Sequence, residues 1–111
     1  MFRAGRILVI GTLDTKGVEV GFLKEQIERR GHRTVVMDIG IRGQPDLPAD
    51  IPRREVVRAS GMNLQEALDA GDRQRAVNIV IEGARRKARE LYNSGELDGV
   101  IALGGGTALF M

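Results

Sequence analysis

The apolar positions near the N-terminus change period twice. Arg6-Ile-Leu-Val-Ile-Gly11 is continuously apolar and β-rich, the pattern of a strand buried on both faces of a parallel sheet. From Val18 to Arg30 the apolar residues Val20, Leu23 and Ile27, with Phe22 beside them, recur at helical spacing. Lys24, Glu25, Glu28 and Arg29 occupy the other face, and Gly31 supplies a stop. Thr34-Val-Val-Met-Asp38 is a second apolar run, followed by Ile39. Strand, helix and strand joined by short turns predict a βαβ unit with a right-handed crossover.

Gly40 to Pro52 breaks the pattern with two glycines and three prolines and reads as a long loop. Pro52, with Asp50 near the cap, opens a short helix over Arg53 to Ser60 that ends at Gly61. Asn63 caps a second piece from Leu64 to Ala70, ended by Gly71. Asp72 caps a long helix to Asn93, with Ala76, Val77, Val80, Ile81, Ala84, Ala88 and Leu91 as its apolar stripe. Leu97 to Leu103 is the third strand, running straight into Gly104-Gly-Gly-Thr107. Four residues after that turn are too few for a covering helix. The expectation is therefore a truncated domain, or one completed by a partner copy. The fold class is α/β: a Rossmann-like three-layer arrangement with helices on both faces of a parallel sheet, and residues 1–111 as one partial domain.

Composition narrows the function classes. A chain of 111 residues supports one small domain, and 42% hydrophobic with 29% charged residues is an ordinary soluble balance. The net charge of +2 argues for neither a nucleic-acid nor a membrane partner. Without cysteine there is no disulfide or thiolate chemistry, and the single His32 excludes a histidine-rich metal cluster. No apolar run approaches the roughly 20 residues of a bilayer span, and no signal peptide opens the chain. A cytoplasmic domain is expected. The Arg85-Arg-Lys-Ala-Arg89 cluster is diluted by Glu82 and Glu90 and reads as a solvated helix face. His32 reads as a surface or capping group, and Tyr92 as a cap on the core edge.

Candidate chemistry gathers at the carboxyl ends of the first and third strands, where open parallel sheets bind ligands. Gly11-Thr-Leu-Asp-Thr-Lys-Gly17 offers the Thr12 and Thr15 hydroxyls, the Lys16 charge for a phosphate, and Asp14 for a hydroxyl or a metal-bound water. Gly104, Gly105, Gly106 and Thr107 offer an anion cradle opposite. Neither turn matches a standard nucleotide fingerprint, since Lys16 precedes Gly17 and no Gly-x-Gly-x-x-Gly follows the first strand. Asp38 stands where a dinucleotide fold places a ribose-binding carboxylate, and equally where a cap for the Gly40 loop belongs.

The stretch ILVIGTLDTKGVEVGFLKEQIERRGHRTVVMDIGIRG resembles the opening of the ATP-binding domain of the tomato mosaic virus resistance protein and its bacterial homologues. ADIPRREVVRASG, LDAGDRQRAV and LDGVIALGGGT extend the likeness in order over nearly the whole chain. The resemblance implies a Rossmann-like domain that binds ATP, with magnesium as its companion. In the plant protein that domain engages a viral replicase. Bacterial members are typically two-domain chains with a C-terminal barrel, absent here. The resemblance carries the nucleotide-site roles onto Thr12, Asp14, Thr15, Lys16 and Gly17 and onto Gly104 to Thr107; the main reading of the residues adds Gly11 to the site and places Asp38 at a ribose hydroxyl or beside the adenine. The second turn departs from the family's Gly-Gly-Ser-x-Gly-Thr by being shorter and lacking the serine. Homo-oligomerisation is expected alongside. The rival readings are an interaction or dimerisation module, and a non-catalytic front part of a larger two-domain metabolic enzyme. No catalytic residue is assigned.

Overall fold

The central strand β1 (Arg6–Gly11) is hydrogen-bonded on both sides, to β2 (Arg33–Asp38) and to β3 (Gly99–Leu103), giving the parallel order β2-β1-β3. The structure, a computed structural model, describes residues 3–103. Gly104 to Met111, including the second glycine turn, lie outside the described residues. Side chains alternate as the two-residue period of a strand requires. Val9 and Val36 face one side, while Leu8, Ile10 and Met37 face the other.

Helix α1 (Leu13–Arg29) covers the Val9 face, with Leu13 and Val20 fully buried and Leu23 and Ile27 half-buried. Phe22 is exposed, off the core face. The opposite face is covered by α2 (Arg53–Ser60) and α4 (Arg73–Asn93), while α3 (Leu64–Asp69) packs on α4 through Leu64, Ala67, Ala76 and Ile79. The three-layer α/β architecture expected from the pattern is therefore present. Gly83, absent from the expected α4 stripe, lets α2 and α4 touch backbone to backbone. A methyl group there would collide with the Val56 carbonyl. Ile79 is the other buried α4 residue outside that stripe, because α3 gives a second face something to pack against.

Two local readings change. Helix α1 begins at Leu13, five residues before the periodic segment, so most of the Gly11–Gly17 stretch is helix rather than loop. Its first turn is set off by a kink at Lys16 (φ −124°, ψ 20°). Asp50 does not cap α2: its Oδ2 accepts the Val36 N–H at 2.8 Å. This holds Ile51 against the open edge of β2, where Asp38 N–H donates to Ile51 O and Ile51 N–H to Val36 O. Tyr92 projects outward, 71% exposed, rather than closing the core edge. His32 does act as a cap, its Nδ1 accepting the Gly5 N–H at 2.9 Å.

Candidate functional site

The order β2-β1-β3 makes a topological switch at β1. The chain leaves β1 for β2 by way of α1 on one face and returns past β1 to β3 by way of α2 to α4 on the other. Connections that part to opposite faces open a crevice at the carboxyl ends of the two strands, the usual ligand position in such sheets. Here that crevice is the seam between Gly11 and Leu103, which are register partners. The two backbones close tightly: a methyl group at Gly11 would come within 3.1 Å of the Leu103 carbonyl oxygen and 2.6 Å of Val20 Cγ2. Leu103 leads directly into Gly104, so the sequence-predicted second turn starts from the same rim, although its residues lie outside those described.

The start of α1 is organised around a buried carboxylate. Asp38 is 2% exposed, and its Oδ1 accepts the Leu13 N–H at 3.2 Å and the Gly40 N–H at 2.8 Å. Of the two roles its position allowed, the cap is the one it fills, since an anion at a helix N-terminus satisfies free amides and the helix dipole together. The Thr12 carbonyl accepts the N–H groups of Thr15 (3.1 Å) and Lys16 (2.7 Å), and the Thr12 and Thr15 hydroxyls meet at 2.8 Å. Of the amides at this helix start, those of Leu13, Thr15 and Lys16 are thus already engaged with the protein's own oxygens.

Asp14 does similar work for the loop after β2. Its side chain is 4% exposed, and Oδ2 accepts the N–H groups of Arg42 (2.8 Å) and Gly43 (3.0 Å). Arg53 lies 3.9 Å from the same oxygen and donates to the Gly43 carbonyl at 2.7 Å. Further along, Asp46 N–H donates to the Leu13 carbonyl, and Asp46 lies so close over Gly17 that any side chain there would strike it. The Gly40–Pro52 loop is consequently strapped across the first turn of α1. Glycine at 40 and 17 permits the close approach, because a methyl group at Gly40 would press on the Asp14 carboxylate.

What remains near the end of β1 is a short set: the Gly11 backbone, the Thr12 and Thr15 hydroxyls, which bond each other, and Lys16. The Lys16 ammonium sits 3.6 Å from Glu19 with its side chain 44% exposed. An exposed pair of that kind holds a side chain loosely. The sequence reading missed the part played by Arg53. The signal was available: a pair of arginines immediately after Pro52, in the first turn of a helix where the dipole disfavours cations. Among the described residues no group of three His, Asp or Glu side chains is arranged to hold a metal. Nor is any helix among them long and apolar enough to cross a membrane.

A parallel α/β domain with a topological switch at β1 is the class these features define. The sequence places it further. Residues 5–111 match the model of an uncharacterised protein family (UPF0261), N-terminal domain, and the chain belongs to that family. A UPF0261 protein of Brucella suis is 42% identical over 100 residues, spanning 90% of this chain and 24% of the relative. One from Clostridium tetani is 34% identical over 100 residues (90% and 25%), and one from Rhizobium meliloti 35% over 101 residues (91% and 24%). The chain spans about a quarter of the length of the curated relatives it matches. No solved structure matches it significantly.

Proposed function

We propose that this chain is the front part of a nucleotide-binding α/β domain, with ATP as the ligand and its phosphates over the seam between β1 and β3. The observation that carries the reading is the position of the paired strand ends Gly11 and Leu103 at the switch point, where connections leave to opposite faces of the sheet. Thr12 and Thr15 are the hydroxyl donors of this wall and Lys16 its cation; the sequence adds Gly104 to Thr107, outside the described residues, as further donors. The resemblance to the ATP-binding domain of the virus resistance protein supports the same assignment.

The buried carboxylates change the roles expected of them. Asp38, already bonded to Leu13 and Gly40, supports the helix start from beneath and is not the ribose ligand. Asp14, committed to Arg42 and Gly43, supports the loop, so magnesium would arrive held by the phosphates rather than by a protein cage. The magnesium would supply charge neutralisation to the phosphates; the chain's own contribution is to position them.

The test is a titration of ATP, with and without magnesium, against the full-length protein, followed by melting temperature and calorimetry. Stabilisation by ATP is expected. Lys16→Ala should weaken binding about tenfold, the effect of one charge-assisted bond of roughly 1.5 kcal/mol. Absence of any shift at saturating nucleotide would remove the reading. The alternative, a pairing module, draws on one observation: Val100 and Ile101 of β3 are 56% and 40% exposed. Sedimentation of the full-length protein across a concentration series distinguishes it.

A further inference from the structure

A groove runs along the outer side of α2 and α3, away from the β1–β3 seam. Its larger part, about 650 Å³, lies between the two helices and includes Val57, Met62 and Leu68. A smaller pocket of about 170 Å³ shares Leu68 and reaches the start of α4. Met62 and Leu68 are among the exposed large apolar residues of the molecule.

The charge around this groove is one-sided. Arg54 lines the larger part; Arg42 and Arg73 line the smaller. None of these three forms an ion pair among the described residues, whereas Lys16, Lys24, Arg29, Arg75, Arg86 and Lys87 all do. The single acidic lining residue, Asp72, has its carboxylate engaged in capping the Arg75 N–H at 3.0 Å. The nearby α3 acids are occupied as well, Glu66 with Arg75 and Asp69 with Gln65.

Two of the arginines also sit where local stability disfavours them. Arg54 is in the first turn of α2 and Arg73 opens α4, whose first turn carries no acidic residue. Cations there oppose the helix dipole. Glu55 in the first turn of α2 and the Asp72 cap of α4 answer the dipole there, so Arg54 and Arg73 add charge that the helix starts do not use.

We propose that this groove is a docking surface for an acidic, amphipathic segment of a partner protein. Apolar anchors of the segment fill the floor at Met62 and Leu68, and its carboxylates pair with Arg42, Arg54 and Arg73. Open apolar grooves flanked by charge suit a helix laid with its apolar face inward. Charge complementarity sets the partner's sign and its rate of arrival. The flexible thioether of Met62 adapts to side chains of differing shape. This docking does not depend on nucleotide at the seam.

The experiment uses the full-length protein and fluorescence anisotropy, without nucleotide. The probe is a labelled helical peptide with leucines at i, i+4 spacing and glutamate elsewhere; its control has lysine in place of every glutamate. The acidic peptide should bind, and bind more weakly as salt rises. The pair Arg54→Glu and Arg73→Glu should reduce that binding at least tenfold, whereas Arg89→Glu, elsewhere on α4, should leave it unchanged. The charge reversals put acids where the dipole favours them, so a melting temperature that is unaltered or raised certifies the fold. Equal binding of both peptides, no binding, or an equal loss in Arg89→Glu overturns the proposal. So does hydrogen-exchange protection of the groove in the unliganded full-length protein, which would make the protein's own chain the occupant.

Discussion

Strands β2 and β3 flank the same neighbour, run in the same direction and carry comparable apolar runs, yet their surroundings differ sharply. In β2, Val36 and Met37 are fully buried and Asp38 nearly so. In β3, Val100 and Ile101 are 56% and 40% exposed. The difference is not in the strands but in what has been laid over them. Helix α1 crosses one face of β1 and β2, helices α2 and α4 cross the other, and Ile51 closes the outer edge of β2. The described residues place no comparable cover on β3. One flank of β1 is finished, with its polar groups turned to architecture; the other keeps open faces and leads to the proposed ligand seam.

The sharpest break in that contrast comes from Asp38→Ala. The substitution leaves the Leu13 and Gly40 amides unsatisfied, both in buried hydrogen bonds. Each orphaned donor costs about 1–3 kcal/mol, so a loss of roughly 3 kcal/mol or more is expected in urea denaturation. If stability is unchanged, the finished flank is not held as described here. The next comparison uses one pair of register partners. Val9 and Ile101 stand side by side and face α1, but Val9 is fully buried. Val9→Ala should cost about 2 kcal/mol and Ile101→Ala less than about 1 kcal/mol in this chain. A large cost for Ile101→Ala measured in the full-length protein would show that β3 is covered there.

Asp14→Ala should be milder than Asp38→Ala although it removes the same number of backbone hydrogen bonds. Its partners, the Arg42 and Gly43 amides, lie in exposed hydrogen bonds, and water can take the place of the carboxylate. A loss of about 1 kcal/mol is expected, with the larger effect on the loop itself. Limited proteolysis should cleave between Gly40 and Pro52 several times faster in the variant. Unchanged cleavage would mean that the strap is held by Arg53 and Asp46 alone.

The same contrast explains what could be read from the chain in advance. The strands and helices were legible because their apolar periods are long and their stops are glycines. Helix α2 over Arg53 to Ser60 and the Asp72 cap of α4 were visible in residue type alone. The start of α1 was not, because the residue that fixes it is Asp38, 25 positions from Leu13. Periodicity reports contacts within an element, and a carboxylate reaching across from another strand leaves no trace in it. The polar stretch Gly11–Gly17 therefore read as a loop equipped for a ligand, while part of that equipment, Asp14 above all, holds another loop. The exposure of Ile101 agrees with the expectation of an uncovered third strand, because the residues after it are too few to lay a helix over the sheet.

The smallest expected effect lies at the opposite rim, where the two flanks are braced differently. On the β3 side Asp98 accepts the Arg6 N–H in an exposed bond. On the β2 side Glu28, near the end of α1, receives the Lys24 ammonium on both oxygens at 2.9 Å and the Thr34 hydroxyl at 2.8 Å. The hydrogen bond from Lys24, and then that from Thr34, hold the Glu28 carboxyl below its ordinary value. A depressed folded-state value means that the unfolded chain binds the proton more readily. The stabilisation is therefore present above the ordinary glutamate range and is lost as the pH falls through the lower folded value. Because Glu28 is solvent-exposed, the effect is small and is screened by salt. Thr34→Val should move the Glu28 titration, followed by carboxyl carbon NMR, upward toward the ordinary value, while Lys24→Met should move it further. If Thr34→Val leaves the titration where it was, the brace between α1 and β2 does not operate in solution, and the two flanks differ only in their cover.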